Sequence, residues 1–158
     1  MQRFKITRNG YEKLKKDLDR LINIERPKIS KAIGEAIALG DLSENAEYSS
    51  SKEKQAINEA MIASLSEKLS NADVVDLGKI SGDAIDFGAT VYLVDEDTEK
   101  EIVYTLLSEF ESDLEKNIIS IDSPIGRALV GKNVGESVEI KVPSGMKYYE
   151  VTDIKWNT

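Results

Sequence analysis

Two stretches of this chain carry helical spines that match each other in reverse order, and an antiparallel helical hairpin is the simplest fold that satisfies both. Tyr11, Leu14, Leu18 and Ile22 recur at helical spacing after Thr7, a residue suited to N-capping. The pattern resumes at Ile29, Ile33 and Ala36 or Ile37, so Pro27 is predicted to kink this helix rather than end it. Gly40 stops it, and Ser43 is the predicted N-cap of a second helix. The second spine runs Tyr48, Ser51, Gln55, Asn58, Ile62, Leu65, Leu69 and Ala72. Leu14 can face Leu69, Leu18 can face Leu65, Ile22 can face Ile62, Ile29 can face Gln55, Ile33 can face Ser51 and Ile37 can face Tyr48. The residue numbers of each pair add to nearly the same total, which is what an antiparallel register requires. The hairpin bends at residues 41–43 and is about 45–50 Å long. Its seam is apolar at the open end but carries Ser51, Gln55 and Asn58 towards the bend. The tip half is therefore held less by burial, which suits a probe better than a scaffold.

The second half of the chain changes period. Residues 85–94 and 101–107 are rich in β-branched and aromatic side chains and are bridged by the acidic turn Asp95-Glu96-Asp97-Thr98. A short strand at 118–121 precedes Ser123, which caps a short helix with Pro124 at its first position and Gly131 after its end. Strands at 138–142 and 148–156 close around Pro143-Ser144-Gly145. These elements predict an α+β domain of four to six strands with one short helix. The boundary with the hairpin falls where Gly78, Ser81 and Gly82 break any periodicity, dividing the chain into residues 1–76 and 77–158.

Composition narrows the chemistry. The chain has no cysteine and no histidine, which excludes disulfide scaffolds, thiolate zinc sites, Ser-His-Asp and Cys-His triads and histidine general bases. Carboxylates, hydroxyls and lysines remain. Residues 1–76 hold thirteen basic and thirteen acidic side chains and residues 77–158 hold eight and sixteen, so the whole net charge of −8 sits in the second half. A chain this acidic is a poor binder of free nucleic acid. The basic N-terminus lacks the apolar core of a signal peptide, and no stretch approaches the length of a membrane span. A soluble, cytoplasmic protein without a membrane partner is expected.

The bend reads Gly40-Asp41-Leu42-Ser43-Glu44-Asn45-Ala46-Glu47-Tyr48. Acids in the first turn of a helix complement its macrodipole, and that alone accounts for such a cluster. The functional alternative is that Asp41 and Glu44 reach past the tip as hard oxygen ligands. Magnesium accepts one or two protein carboxylates beside waters and substrate oxygens. Such a tip binds the metal weakly alone and well only when a partner supplies the remaining ligands, so that together they form a two-metal site for phosphodiester hydrolysis.

The run GDLSENAEY at residues 40–48 resembles the signature of the Gre family of bacterial transcript cleavage factors, closest to its GreA branch. The likeness continues in KLSNADVVD at 68–76, FGATVYLVD at 87–95 and SPIGRALVGKNVGESVEI at 123–140. The resemblance implies an N-terminal antiparallel coiled coil followed by a C-terminal domain of FKBP-like fold. It further implies a factor that binds backtracked bacterial RNA polymerase through the secondary channel and is no enzyme by itself. On this resemblance Asp41 and Glu44 help to hold the second Mg2+ and the attacking water, so that the polymerase hydrolyses the nascent RNA at its 3' end. Asn45, Glu47 and Tyr48 support the tip, with Tyr48 packing across the bend onto Ile37. Lys52 matches a position that contacts the RNA backbone, and a solvated lysine is its plain alternative. Asp122, Ser123 and Pro124 match the segment that docks on the channel rim. Only Lys52 and Lys54 are basic just past the tip, which implies action on short extruded RNA. The filled seam predicts a monomer.

Three other readings stay open on the sequence. One is a channel-binding inhibitor without cleavage activity, which the run Asp41-Leu42-Ser43-Glu44-Asn45 argues against. Another is a prolyl isomerase or chaperone, which needs an aromatic pocket that seven aromatics in 80 residues need not form. The third is an inert scaffold, which the polar seam disfavours.

Overall fold

The computed structural model describes residues 2–156. The chain forms two compact units. One holds Tyr11–Ala72 with the first residues of the chain; the other holds Phe4–Gly10 and everything from Asp73 onward. The division thus falls before the expected 76/77 boundary and transfers Phe4–Gly10 to the second unit. The cause is a two-stranded sheet in which strand β1 (Phe4–Thr7) pairs with β2 (Ala72–Val75).

Helix α1 (Arg8–Arg20), which enters the first unit at Tyr11, runs through a π turn (Leu21–Glu25) into α2 (Arg26–Ala38), and α3 (Ala46–Asn71) returns against α2. Thr7 caps the start as expected, its Oγ1 accepting from the Gly10 N–H at 3.1 Å. Pro27 neither ends the helix nor sits at a simple kink. It occupies the first turn of α2, and the wide turn lies just before it, with the Arg26 N–H donating to the Leu21 carbonyl. A wider turn makes room for a proline ring that would otherwise press on the preceding turn. The extra residue also serves the seam. Leu14, Leu18, Ile22, Ile29 and Ile33 recur at four- and seven-residue steps, longer on average than 3.6, so a straight helix would rotate the stripe away from α3. A π turn inserts a residue without advancing the face. The correction is incomplete: at the π turn Leu21 is the buried residue and Ile22 is only half-buried, and at the far end Ala36 is 2% exposed and takes the inner position while Ile37 is 51% exposed.

The polar seam has a structural reason too. Asn58 is buried, and its Nδ2 donates to the Leu21 carbonyl at 3.2 Å, so the carbonyl of the π turn receives a second donor. A buried amide in that position is satisfied rather than costly. On the outside, Arg26 Nη2 lies 2.9 Å from Glu59 Oε2, an exposed pair worth little to stability.

The second unit is built on a five-stranded sheet of order β5-β4-β3-β7-β6. Its strands are β3 (Thr90–Asp95), β4 (Glu101–Leu107), β5 (Ile118–Ser120), β6 (Ser137–Val142) and β7 (Gly145–Lys155). All neighbours are antiparallel except β4 and β5. Strand β3 starts five residues later than the sequence predicts. Gly88 holds φ +87, and a Cβ there would meet Ile80 Cδ1 at 2.3 Å, so the chain bends beneath Ile80 before the ladder begins. Helix α4 (Pro124–Leu129) places Leu129 in a core with Ile85, Leu93, Leu106 and Val151, all at most 1% exposed. Glu111 ties the N-terminal strand into this unit. Its carboxylate accepts from the Thr7 hydroxyl, from the Thr7 N–H at 3.3 Å and from Ser108 Oγ at 2.7 Å. The architecture is α+β, as expected.

Candidate functional site

The tip is a built turn. Helix α2 closes with the Leu39 N–H donating to the Ala36 carbonyl at 3.1 Å and the Gly40 N–H to that of Ile37 at 3.2 Å. Gly40 then takes φ +120, a conformation that glycine alone adopts without strain. Asp41 organises the next step. Its Oδ1 accepts from the Ser43 N–H at 3.0 Å and from Ser43 Oγ at 2.8 Å, an Asx turn that turns the chain back.

Ser43 is therefore not the N-cap of α3, contrary to the sequence expectation. Asn45 is. Its Oδ1 accepts from the Tyr48 N–H at 3.0 Å, and its Nδ2 donates to the Ala36 carbonyl at 2.6 Å. The single proton of the Ser43 hydroxyl is spent on Asp41 and cannot also reach an α2 carbonyl, whereas the Asn45 amide accepts from α3 and donates to α2 at once. One side chain thus caps α3 and satisfies an end carbonyl of α2. Replacing it, Asn45→Ala, is expected to cost about 1–2 kcal/mol of local stability. The check is faster amide hydrogen exchange at Tyr48 and Ser49, with the core of the second unit unchanged.

Asp41, Leu42, Ser43 and Glu44 are all exposed. Ser43 holds the Asp41 carboxyl below the ordinary carboxylate range, first through its hydroxyl and then through its N–H. The Oδ2 of Asp41 accepts no hydrogen bond from the described residues. Asp41 thus stays ionised to lower pH than a free aspartate, and its interaction with Ser43 is lost only as pH falls through the depressed value. Ser43→Ala removes the largest cause, so the Asp41 titration midpoint is expected to rise towards the ordinary value in a carboxyl NMR titration. An unmoved midpoint would contradict the hydrogen bond.

Glu47 is exposed in the first turn of α3, where it favours the helix dipole. Tyr48 is half-buried; on α2 Ile37 is half in solvent and Ala36 is the buried residue. Lys52 lies about one turn beyond Tyr48 along α3, exposed, with its Nζ donating to Gln55 Oε1 at 2.9 Å. The structure thus gathers Asp41, Glu44, Asn45, Glu47 and Tyr48 within one bend and the turn that follows it. Among the described residues no group of three or more acids stands close enough to hold a metal ion, and no helix is long and apolar enough to cross a membrane.

Asp122, Ser123 and Pro124 lie in the second unit at the start of α4. Ser123 Oγ accepts from the Gly126 N–H at 3.0 Å and donates to the Ser120 carbonyl at 2.6 Å, while the Asp122 N–H donates to Ser120 Oγ at 3.1 Å. Asp122 and Pro124 remain exposed on this fixed corner.

Both parts of the chain match known families. Residues 4–74 match the transcription elongation factor N-terminal family, and residues 80–156 match the GreA/GreB C-terminal family of transcription elongation factors. The chain belongs to the GreA/GreB family. It is 51% identical over 156 residues to the transcription elongation factor GreA of Rhodopseudomonas palustris (strain BisA53), covering 99% of this chain and 98% of that one. To the transcription elongation factor GreA of Rickettsia bellii (strain OSU 85-389) it is 49% identical over 156 residues, covering 99% and 97%. Among solved structures, GreA factor homolog 1 of Thermus thermophilus is 28% identical with a TM-score of 0.45, covering 98% of this chain and 99% of that chain.

Proposed function

We propose that this protein is a transcription elongation factor that enters the secondary channel of backtracked bacterial RNA polymerase and stimulates cleavage of the extruded RNA. The observation that carries this reading is a pair of exposed acids, Asp41 and Glu44, on an ordered bend inside the family-matched segment. Family membership supports the elongation role; the placement of the acids supports the mechanism.

The donor set fits Mg2+. Both groups are hard oxygen ligands, Asp41 is held ionised, and its Oδ2 has no partner within the described residues. Two carboxylates make no complete site, so Asp41 and Glu44 would hold the ion only together with ligands from the polymerase. When bound there, Mg2+ supplies charge neutralisation and an acidified water for phosphodiester hydrolysis. The chain's own residues contribute position. The Asx turn fixes the Asp41 carboxylate, and the Asn45 cap holds both helix ends so that the acids arrive pre-ordered. Lys52 attracts the RNA backbone, and Asp122, Ser123 and Pro124 dock on the channel rim. The active site belongs to the polymerase, so the free protein is no enzyme, and it acts as a cytoplasmic monomer.

The test is RNA cleavage in a stalled, backtracked elongation complex at neutral pH with Mg2+. Added protein is expected to accelerate cleavage and to release mainly short products, because few cations follow the tip. Binding without stimulation would instead assign it an inhibitory role.

A further inference from the structure

We infer that Leu39 and Leu42, on either side of Asp41, are an apolar anchor that seats in a nonpolar recess of the polymerase beside the point where the acids act. The inference rests on the function proposed above and adds a second, non-ionic component to the same surface. Leu39 is 69% exposed, Leu42 42% and the nearby Ile37 51%. Single exposed apolar residues are ordinary on protein surfaces. Leu39, at the end of α2, and Leu42, in the turn that follows, instead flank the same two residues, Gly40 and Asp41, at the point where the acids are displayed.

Both leucines stand on a hydrogen-bonded turn. Leu39 is held by its N–H bond to Ala36, Gly40 fixes the turn, Asp41 clasps Ser43, and Asn45 ties α3 back to Ala36. The backbone that carries the leucines is therefore held in place, and little of it remains to be ordered on binding.

The occupant follows from chain continuity. Leu42 is the direct neighbour of Asp41 and lies two residues before Glu44, with consecutive Cα atoms about 3.8 Å apart. Any cleft that receives both carboxylates must receive Leu42. A second copy of this chain is a poor alternative, because tip-to-tip contact would bring Asp41, Glu44 and Glu47 of each copy against their equivalents.

The experiment uses the full chain and a backtracked elongation complex. Leu39→Asn, Leu42→Asn and the double variant are compared with Leu39→Met and Leu42→Met. Two quantities are read: the factor concentration giving half-maximal cleavage and the cleavage rate at saturation. Direct binding to the polymerase is measured alongside. The double Asn variant is expected to raise the half-maximal concentration roughly tenfold or more, as loss of buried leucine surface implies. Its saturated rate should stay within about twofold, and the Met variants should restore the native concentration. Unchanged helix content shows the variant is folded; if it falls, Leu39→Gln and Leu42→Gln replace the Asn changes.

An unchanged half-maximal concentration and unchanged binding overturn the anchor. So does a lost saturated rate at unchanged concentration, or a native dimer that the variants dissolve. If the native protein fails to stimulate cleavage at all, the proposed function fails separately. The binding comparison then still decides the anchor, with weaker binding of the Asn variants supporting it and equal binding overturning it.

Discussion

Asp41→Asn and Glu44→Gln are each expected to abolish stimulated RNA cleavage while leaving polymerase binding in place. Losing a group that merely supports a metal ligand typically costs 10–100-fold, so losing a ligand should cost about 100-fold or more. The two substitutions keep size and remove charge. Glu44→Gln leaves every hydrogen bond of the bend intact, since none passes through its side chain. Asp41→Asn retains an Oδ1 that can still accept from Ser43, so the turn persists and the lost charge is isolated. Measured cleavage at saturating factor, with binding followed separately, distinguishes a missing ligand from a misfolded tip. Weakened binding in both variants would place the acids in docking rather than in the reaction.

The second large effect is expected at Gly126→Ala. A Cβ built at this buried position lies 2.3 Å from the Ser120 carbonyl oxygen and 2.8 Å from that of Ile121. Those atoms are backbone, and the Ser120 carbonyl is already fixed by two donors from Ser123. Relief therefore requires moving α4 or the corner at 120–124. Forcing even one methyl into such a site costs about 1–3 kcal/mol, with the upper end appropriate where only backbone can yield. For a unit of this size a loss near 3 kcal/mol lowers Tm by roughly 10–20 °C. Because Asp122, Ser123 and Pro124 sit on the displaced corner, binding to polymerase should weaken in the same variant. A Tm within about 2 °C of native would show that the corner is softer than its hydrogen bonds imply.

Much of this was legible in the sequence because the signals were local or periodic. The reciprocal spines located the hairpin, Thr7 and Ser123 were recognisable caps, and strand β4 falls at its expected limits. The misses have physical causes. Phe4–Thr7 and Ala72–Val75 are each four residues long and pair across the length of the hairpin, so neither carries a local strand signal strong enough to stand alone. At Pro27 the sequence pointed to a disturbed helix, but a kink and a π turn share that cue. Only the slow drift of the apolar stripe favours the latter.

The bend shows the same division. Its acids stand out by charge and motif, whereas the sequence points to Ser43 for the cap that Asn45 provides. Ser43 and Asn45 are both good caps by residue type, and only the geometry reveals that Ser43 is engaged by Asp41. The spacing Asp-x-Ser was the available clue to that turn. Leu39 and Leu42 carried no warning of exposure, because leucines at a helix end usually pack inward. Asn58 looked like a weak point in the seam and is instead a satisfied partner of the π turn.

The central claim is that Asp41 and Glu44 complete a metal site that the polymerase leaves unfinished. Its most direct test is the Mg2+ dependence of RNA cleavage in a backtracked complex, at saturating native protein, Asp41→Asn or Glu44→Gln. The expected result is that native protein lowers the Mg2+ concentration for half-maximal cleavage, and that either substitution raises it about tenfold or more. A half-maximal Mg2+ concentration identical for all three proteins, with only the maximal rate reduced, would contradict a role in holding the ion.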